Sequence, residues 1–483
     1  MWRMLGLFGV STVAWWGLLW LVLPQSWQRI SPSAILLLHL GPPMLLSAGV
    51  KLWGYLKEKR AKQAEAEQAA AADAEHQAAR DAARERHLAE LRERQAVVEC
   101  RWLWACATPA EDEPFWLAEA PDGCLWSSVD KADACGDADD VLAALRPHVV
   151  EALSQLYAAA PGAAWLPLLM EVVPGPSGIE QIAAVKEWQL EAMMAGQVDE
   201  DWPAPDARFL AGAGTGTVAD RARQLLQQEP ELPGVLVLGA DAPLALQGAD
   251  DGDEGDTAAA ERQRWLGKPG LAVAVLLMLR EQLPEPEQGV AVTVAEGADP
   301  YQPYWEKDFS RSGGSWGLVP GRHQAGLAEL PVLAQLGQSS SVALQQERAL
   351  QLARQLQPVL DNALVNAALL DYPFSPEDAK PENDQAASLA WLAHNGGDVN
   401  VGGVRLAAIA SALSRHGVEL HPVDEASNLA RDWGDVGVAA SAMLTAIAVS
   451  HSARLAAPAI LTQFSHEQVA LAMARPPRKE TAA

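Results

Sequence analysis

Three stretches of this sequence place polar side chains where an apolar run meets a glycine-bearing turn and then a helix-forming segment. The first is FLAGAGTGTVADRARQLLQQEPELPGVLVLGADAP (residues 209–243), with Thr215 inside the turn Ala213-Gly214-Thr215-Gly216-Thr217. The second is WLAHNGGDVNVGGVRLAAIAS (391–411), where His394 closes a short apolar run. The third is NLARDWGDVGVAASAML (428–444), where Gly434-Asp435 opens an alanine-rich stretch. A hydroxyl, an imidazole and a carboxylate at such turns are parts for nucleophilic and proton-transfer chemistry, with Thr215 as the candidate nucleophile and His394 as its candidate partner. A helix start also offers unpaired N–H groups that can hold an anion. Each residue has a plainer reading. His394 would be a loop histidine satisfied by backbone, and Asp435 a carboxylate favoured at a helix amino end by the dipole.

These turns need a scaffold of strands and helices. Residues 97–107, 165–173, 208–213 and 235–239 read as buried strands, and 139–159, 178–195 and 217–229 as amphipathic helices. Strand and helix alternate, which indicates an α/β body with a mainly parallel sheet. The acidic run ADDGDEGD (249–256) lacks the ligand order of a calcium loop and reads as a solvated linker. The pattern then restarts, with strands at 271–279, 290–294, 389–393 and 459–463 and helices at 341–366, 403–415 and 436–453. The expected organisation is 1–56 membrane-anchoring segments, 57–96 a helical stalk and 97–248 a first half. A linker at 249–262, a second half at 263–470 and a disordered tail at 471–483 complete it. Trp102, Trp104, Trp116 and Trp126 are read as core or strand-face residues.

Composition narrows the function. Among 483 residues, 36 basic against 62 acidic side chains leave a net charge of -26, which argues against a nucleic-acid partner. Cysteines at 100, 106, 124 and 135 form no CxxC and have no paired histidines near them, so neither a disulfide scaffold nor a zinc site is expected. No GxSxG nucleophile elbow is expected, and P-loop, HExxH and strand-borne GxGxxG motifs are absent from the sequence. No metal or cofactor is expected.

The amino end points to a membrane. Residues 5–23 form an uncharged apolar run with Trp15, Trp16 and Trp20 in its second half. A second run, 35–50, carries Pro42 and Pro43, which would kink a spanning helix but are tolerated in one. The expectation is a helical hairpin. Lys51, Lys57, Lys59, Arg60 and Lys62 follow it, so the positive-inside rule keeps the body in the cytoplasm on the inner membrane, or in the periplasm if one run alone spans. From about 57 to 95 the chain is rich in Ala, Glu, Gln, Arg and Lys, without Gly or Pro, and reads as a solvated stalk. Leu88 and Leu91 would support a homodimer only near its end.

Together the three turn stretches resemble the thiolase-like fold of β-ketoacyl synthases over roughly residues 97–468. The resemblance implies a pseudo-duplicated α/β body with a nucleophilic thiol at the first turn and histidines at the other two. Here the first turn holds no cysteine, His394 matches one histidine and Asp435 replaces the other. Thr215, His394 and Asp435 thus form a vestigial site, and no catalytic residue is expected. The rival reading is a membrane-tethered acyltransferase or thioester hydrolase using Thr215 and His394.

A last stretch, DPYQPYWEKDFSRSGGSWGLVPGR (299–322), concentrates Tyr301, Tyr304, Trp305, Phe309 and Trp316, residue types typical of binding hot spots. With the hydrophobic amino end and the degenerate body, it makes the whole chain resemble the adaptor family associated with phospholipase effectors of the bacterial type VI secretion system. That resemblance implies a chaperone-like adaptor that holds a secreted lipase and helps load it onto the spike protein, with Tyr304, Trp305 and Trp316 as anchors.

Overall fold

A computed structural model describes residues 2–22, 31–130, 138–196, 203–212, 216–243, 264–286, 316–344, 348–375, 385–397, 399–465 and 467–477. The expected linker at 249–262, the strand at 290–294, Thr215, Tyr304 and Trp305 lie outside the described residues. The chain divides into two compact units, Met1–Leu88 and Ala89–Ala483.

The first unit is helical. Helix α1 spans Trp2–Val22 and α2 spans Pro32–Arg94. The expected second span and stalk are one continuous helix that runs through Pro42 and Pro43. Its start, residues 32–50, is apolar; its remainder owes its helicity to Ala, Glu, Gln, Lys and Arg, which lose little rotamer freedom in a helix. Within α2 lies a window long and apolar enough to cross a membrane, only 6% of it buried, and α1 adds the shorter apolar stretch Phe8–Val22.

The second unit contains one mixed sheet, twelve-stranded among the described residues, built from two copies of the same plan. The first copy runs β1 (Val98–Ala107), α3 (Ala138–Ala159), β3 (Leu168–Met170), α4 (Gly178–Ala195), β4 (Ala207–Phe209), α5 (Val218–Gln228), β5 (Gly234–Asp241) and β6 (Ala272–Arg280). A short β2 (Cys124–Ser128) pairs parallel to β1, and α6 (Gly321–Ala328) precedes the second copy. That copy runs β7 (Ala334–Leu336), β8 (Ser340–Ala343), α7 (Ala349–Asn366), β9 (Trp391–His394), α8 (Val399–Ser414), β10 (Ala426–Asn428), the single turn α9 (Leu429–Asp432), α10 (Ala440–Leu455), β11 (Ala459–Phe464) and β12 (Gln468–Arg475).

The spatial order β4-β3-β5-β6-β1 is repeated as β10-β9-β11-β12-β7. In each copy the first three of these strands are parallel, and the last two connections are antiparallel. The copies join where β1 pairs antiparallel with β7, Val98 opposite Leu336. The duplication inferred from element order is therefore present as strand topology.

Strand periodicity divides the core into layers. Val235, Val237, Ala272 and Ala274 face a central cluster with α5 and α10, whereas Leu236, Leu238, Val273 and Val275 face α3 and α4. In the second copy Ala459, Leu461, Ala472 and Ala474 face the same central cluster, while Ile460, Leu471 and Met473 face α7 and α8. Helix α10 is thus covered on all sides, and every residue from Ser441 to Ser452 is buried. Small residues permit this depth: a Cβ at Gly239 would stand 2.3 Å from the Ala442 Cβ. The segment Gly437–Leu455 is also long and apolar enough to cross a membrane, but 72% of its apolar window is buried inside the body, which makes it a core helix.

Two expectations about elements need correction. The helix expected at 341–366 is a strand, β8, followed by α7 from Ala349, because residues 340–343 add to the edge of β12. The tail expected from 471 begins later, since β12 continues to Arg475 between β11 and β7 with nearly every residue buried. Trp102, Trp104 and Trp116 are buried as expected, and Trp126 is partly buried against the core.

Candidate functional site

The site is built around the turns that lead into α5 and α10, the corresponding helices of the two copies. In the first copy, β4 leads to a turn and then to α5. Thr217 caps α5 and forms a reciprocal box with Asp220: its hydroxyl accepts from the Asp220 N–H, and the Asp220 carboxylate accepts from the Thr217 N–H at 2.7 Å. The Thr217 hydroxyl also donates to Asp220 Oδ2 at 2.9 Å, and the Ser339 N–H donates to Asp220 Oδ1 at 2.8 Å. The chain's own carboxylate therefore occupies this helix start. The anion-cradling role weighed for the turn meets an acidic side chain already seated there.

In the second copy β9 ends at His394, which is 2% exposed. The Gly396 N–H donates to its Nδ1 at 3.2 Å, so the neutral ring carries its proton on Nε2. Burial, reinforced by the positive charge of Arg431, lowers the His394 pKa to about 4. The ring is neutral at neutral pH. It cannot supply a cation to a developing oxyanion. Across the parallel pairing with β10, His394 stands opposite Asn428. Asn428 donates to the Gly397 carbonyl at 2.9 Å and caps α9 by accepting from the Ala430 N–H. Arg405, on α8, stacks between Trp265 and Phe464, its guanidinium 4.4 and 4.9 Å from the two ring centroids.

Asp435 follows α9 and is 5% exposed. Its N–H donates to the Lys268 carbonyl, and its own carbonyl accepts from the Gly270 N–H. Its Oδ1 accepts from the Gly437 N–H at 3.0 Å. One residue further, the Val438 N–H donates to Oδ2 of Asp241, the last residue of β5 in the other copy, at 2.8 Å. Gly437 has φ +54°, and a Cβ there would lie 1.9 Å from Asp241 Oδ2. Two carboxylates, one from each copy, thus hold the 3-10 turn Gly437–Ala439 that leads into α10. Asp435 accepts from the N–H two residues on, within the turn before α10, and not from the helix itself.

The described cysteines offer no thiolate. Burial raises Cys106 to about 12 and Cys124 to about 11, and lifts Cys100 further. Cys135 lies outside the described residues. Among the described residues, no group of three His, Cys, Asp or Glu side chains is placed to hold a metal ion. Trp316, expected as a partner anchor, is 2% exposed and packs in the core cluster with Val319 and Leu327. It is a core residue, not a surface one.

The sequence reading named His394 and Asp435 and missed Asp241, Asp220 and Asn428. Thr217–Asp220 carries a readable local signal, a capping threonine with an acid three residues on. Asp241 carries none, because its partner is 197 positions away in the chain.

No family model matches the chain, and no curated relative does. Solved structures do resemble it. The 3-oxoacyl-(acyl carrier protein) synthase III FabH from Pseudomonas aeruginosa PAO1 is 14% identical, with 79% of this chain covering 99% of that one at a TM-score of 0.39. Human mitochondrial 3-ketoacyl-CoA thiolase is 11% identical, at 80% and 100% coverage and a TM-score of 0.39. Cerulenin-bound OleA from Xanthomonas campestris is 11% identical, at 78% and 96% coverage and a TM-score of 0.38. These proteins are what the chain is similar to. Its mixed, duplicated α/β architecture stands on its own strand order.

Proposed function

We propose that this chain is a non-enzymatic adaptor, tethered by its amino-terminal hairpin to the inner membrane with its body in the cytoplasm. It binds a secreted phospholipase effector and helps load it onto the spike protein of a type VI secretion system. The observation that carries the binding role is the self-occupation of both helix starts. Asp220 fills the start of α5, and Asp241 and Asp435 fill the 3-10 turn Gly437–Ala439 that leads into α10. His394 is buried and neutral. A scaffold whose reactive positions are taken by its own carboxylates retains surface and loops for recognition, and function resides in sites rather than in the fold. The identity of the client rests on the whole-chain sequence resemblance, and the binding loop is assigned to Tyr304 and Trp305.

The test is co-purification of the full chain, in detergent, with a type VI phospholipase effector encoded by the same host. The expected result is a stable complex that Tyr304→Ala with Trp305→Ala weakens and Thr215→Ala leaves intact. Retention of an acyl-carrier protein instead, with thioester turnover lost in Thr215→Ala, would establish the acyltransferase reading.

A further inference from the structure

Pro42 and Pro43 lie inside α2. Proline has no N–H, so the carbonyls four residues earlier, those of Leu38 and His39, lose their intrahelical donors. Water repairs such a loss on a soluble helix. Hydrocarbon cannot, and an unpaired carbonyl there must find a partner within the protein. The other helix supplies one. The indole Nε1–H of Trp15 on α1 donates to the Leu38 carbonyl at 2.8 Å, and that carbonyl is the one Pro42 leaves without a donor. Beside it, Trp16 packs edge-on against His39, ring centroids 5.9 Å apart. His39 turns its Nδ1 to the Ile35 carbonyl of its own helix at 2.8 Å. Leu19 and Pro43 are buried, whereas Val13, Leu21, Leu37 and Leu45 are between 73% and 89% exposed.

We propose that α1 and the proline-bearing part of α2 enter the bilayer as one preassembled hairpin, closed by the Trp15 indole on the carbonyl that Pro42 frees. The partner of its uncovered apolar surface is lipid hydrocarbon. The proline pair has a use in this arrangement: it creates an acceptor on α2 that α1 satisfies, so the two helices are selected to insert together. Both ends of the hairpin then emerge on one side of the membrane and the connection, which contains Ser26, on the other. This inference rests on the membrane reading given above.

The test uses the full chain in its host's membranes. A Ser26→Cys substitution is labelled in intact cells with a membrane-impermeant maleimide, the background of the native cysteines being read in the unsubstituted chain. Labelling is expected at Ser26→Cys. Trp15→Phe should reduce the labelled fraction roughly three- to fifteen-fold, the range that interhelical hydrogen bonds of membrane proteins carry. Adding Pro42→Ala, which returns an N–H to the Leu38 carbonyl, should restore it, and Trp16→Phe should change nothing. Labelling unaltered by Trp15→Phe, or reduced but not restored by Pro42→Ala, would overturn the closing bond. Release of the whole chain by alkaline carbonate would instead overturn the membrane reading.

Discussion

Helices α5 and α10 occupy corresponding places in the two copies of the body, yet their amino ends are closed by different means. The start of α5 is satisfied locally, by Thr217 and Asp220 within one turn. The start of α10 has no side-chain cap of its own, and the 3-10 turn Gly437–Ala439 that leads into it takes Asp435 from the preceding loop and Asp241 from the far copy. A local cap stabilises its helix whatever the rest of the chain does. A cap brought from the other copy forms only when both copies have docked, so it ties the two halves together. The same topological position has become a self-contained turn in one half and an inter-half fastening in the other.

That difference is sharpest at Gly437. Replacing it with Ala forces a left-handed backbone on a side chain and drives its Cβ onto the Asp241 carboxylate, at an expected cost of about 2–4 kcal/mol in urea unfolding of the full chain in detergent. Combining it with Asp241→Ala should give less than the sum of the two single costs, because the clash disappears with the carboxylate. Strict additivity would mean that the fastening is not where the geometry places it.

At the second copy's site, a pH signature should come from His394. His394 has a folded pKa of about 4 against an ordinary 6.5, because burial favours its neutral form. The stability this gives is fully present above pH 6.5 and is lost as pH falls through about 4, reaching about 3 kcal/mol at the limit. His394→Gln should therefore flatten the unfolding free energy between those two pH values relative to the parent chain. An unchanged slope would show that the ring is solvated.

Smaller effects compare the two carboxylates directly. Asp241→Ala strands the part-buried Val438 N–H and should cost about 1–3 kcal/mol. Asp220→Ala removes a cap and should cost about 0.5–2 kcal/mol. Equal costs, by the same denaturation, would erase the distinction between local and inter-half closure.

Much of the fold could be read from the sequence where the signal is local. The helix at 178–195 matches α4 residue for residue, and the expected strand at 97–107 differs from β1 by one residue. The three-residue strands β7 and β10 escaped notice because so short a segment has no period to detect. Strand β12 was mistaken for tail because VALAMAR is rich in alanine, a poor strand former, and is held as a strand by neighbours on both sides. Helix α10 and the start of α2 pass the same test of length and apolar composition; burial alone separates core from candidate span. At the site, His394 and Asp435 were legible as residues at turns. Their states were not, since the neutral imidazole comes from burial and the closed helix start from Asp241, both consequences of tertiary packing.

The proposed role is binding without catalysis, on a scaffold whose helix starts are met by its own carboxylates. Its most direct test is intact-mass measurement of the full chain after incubation with an acyl-coenzyme A thioester. The mass should remain unchanged. An added acyl group that disappears in Thr215→Ala would contradict the claim and return the site to chemistry.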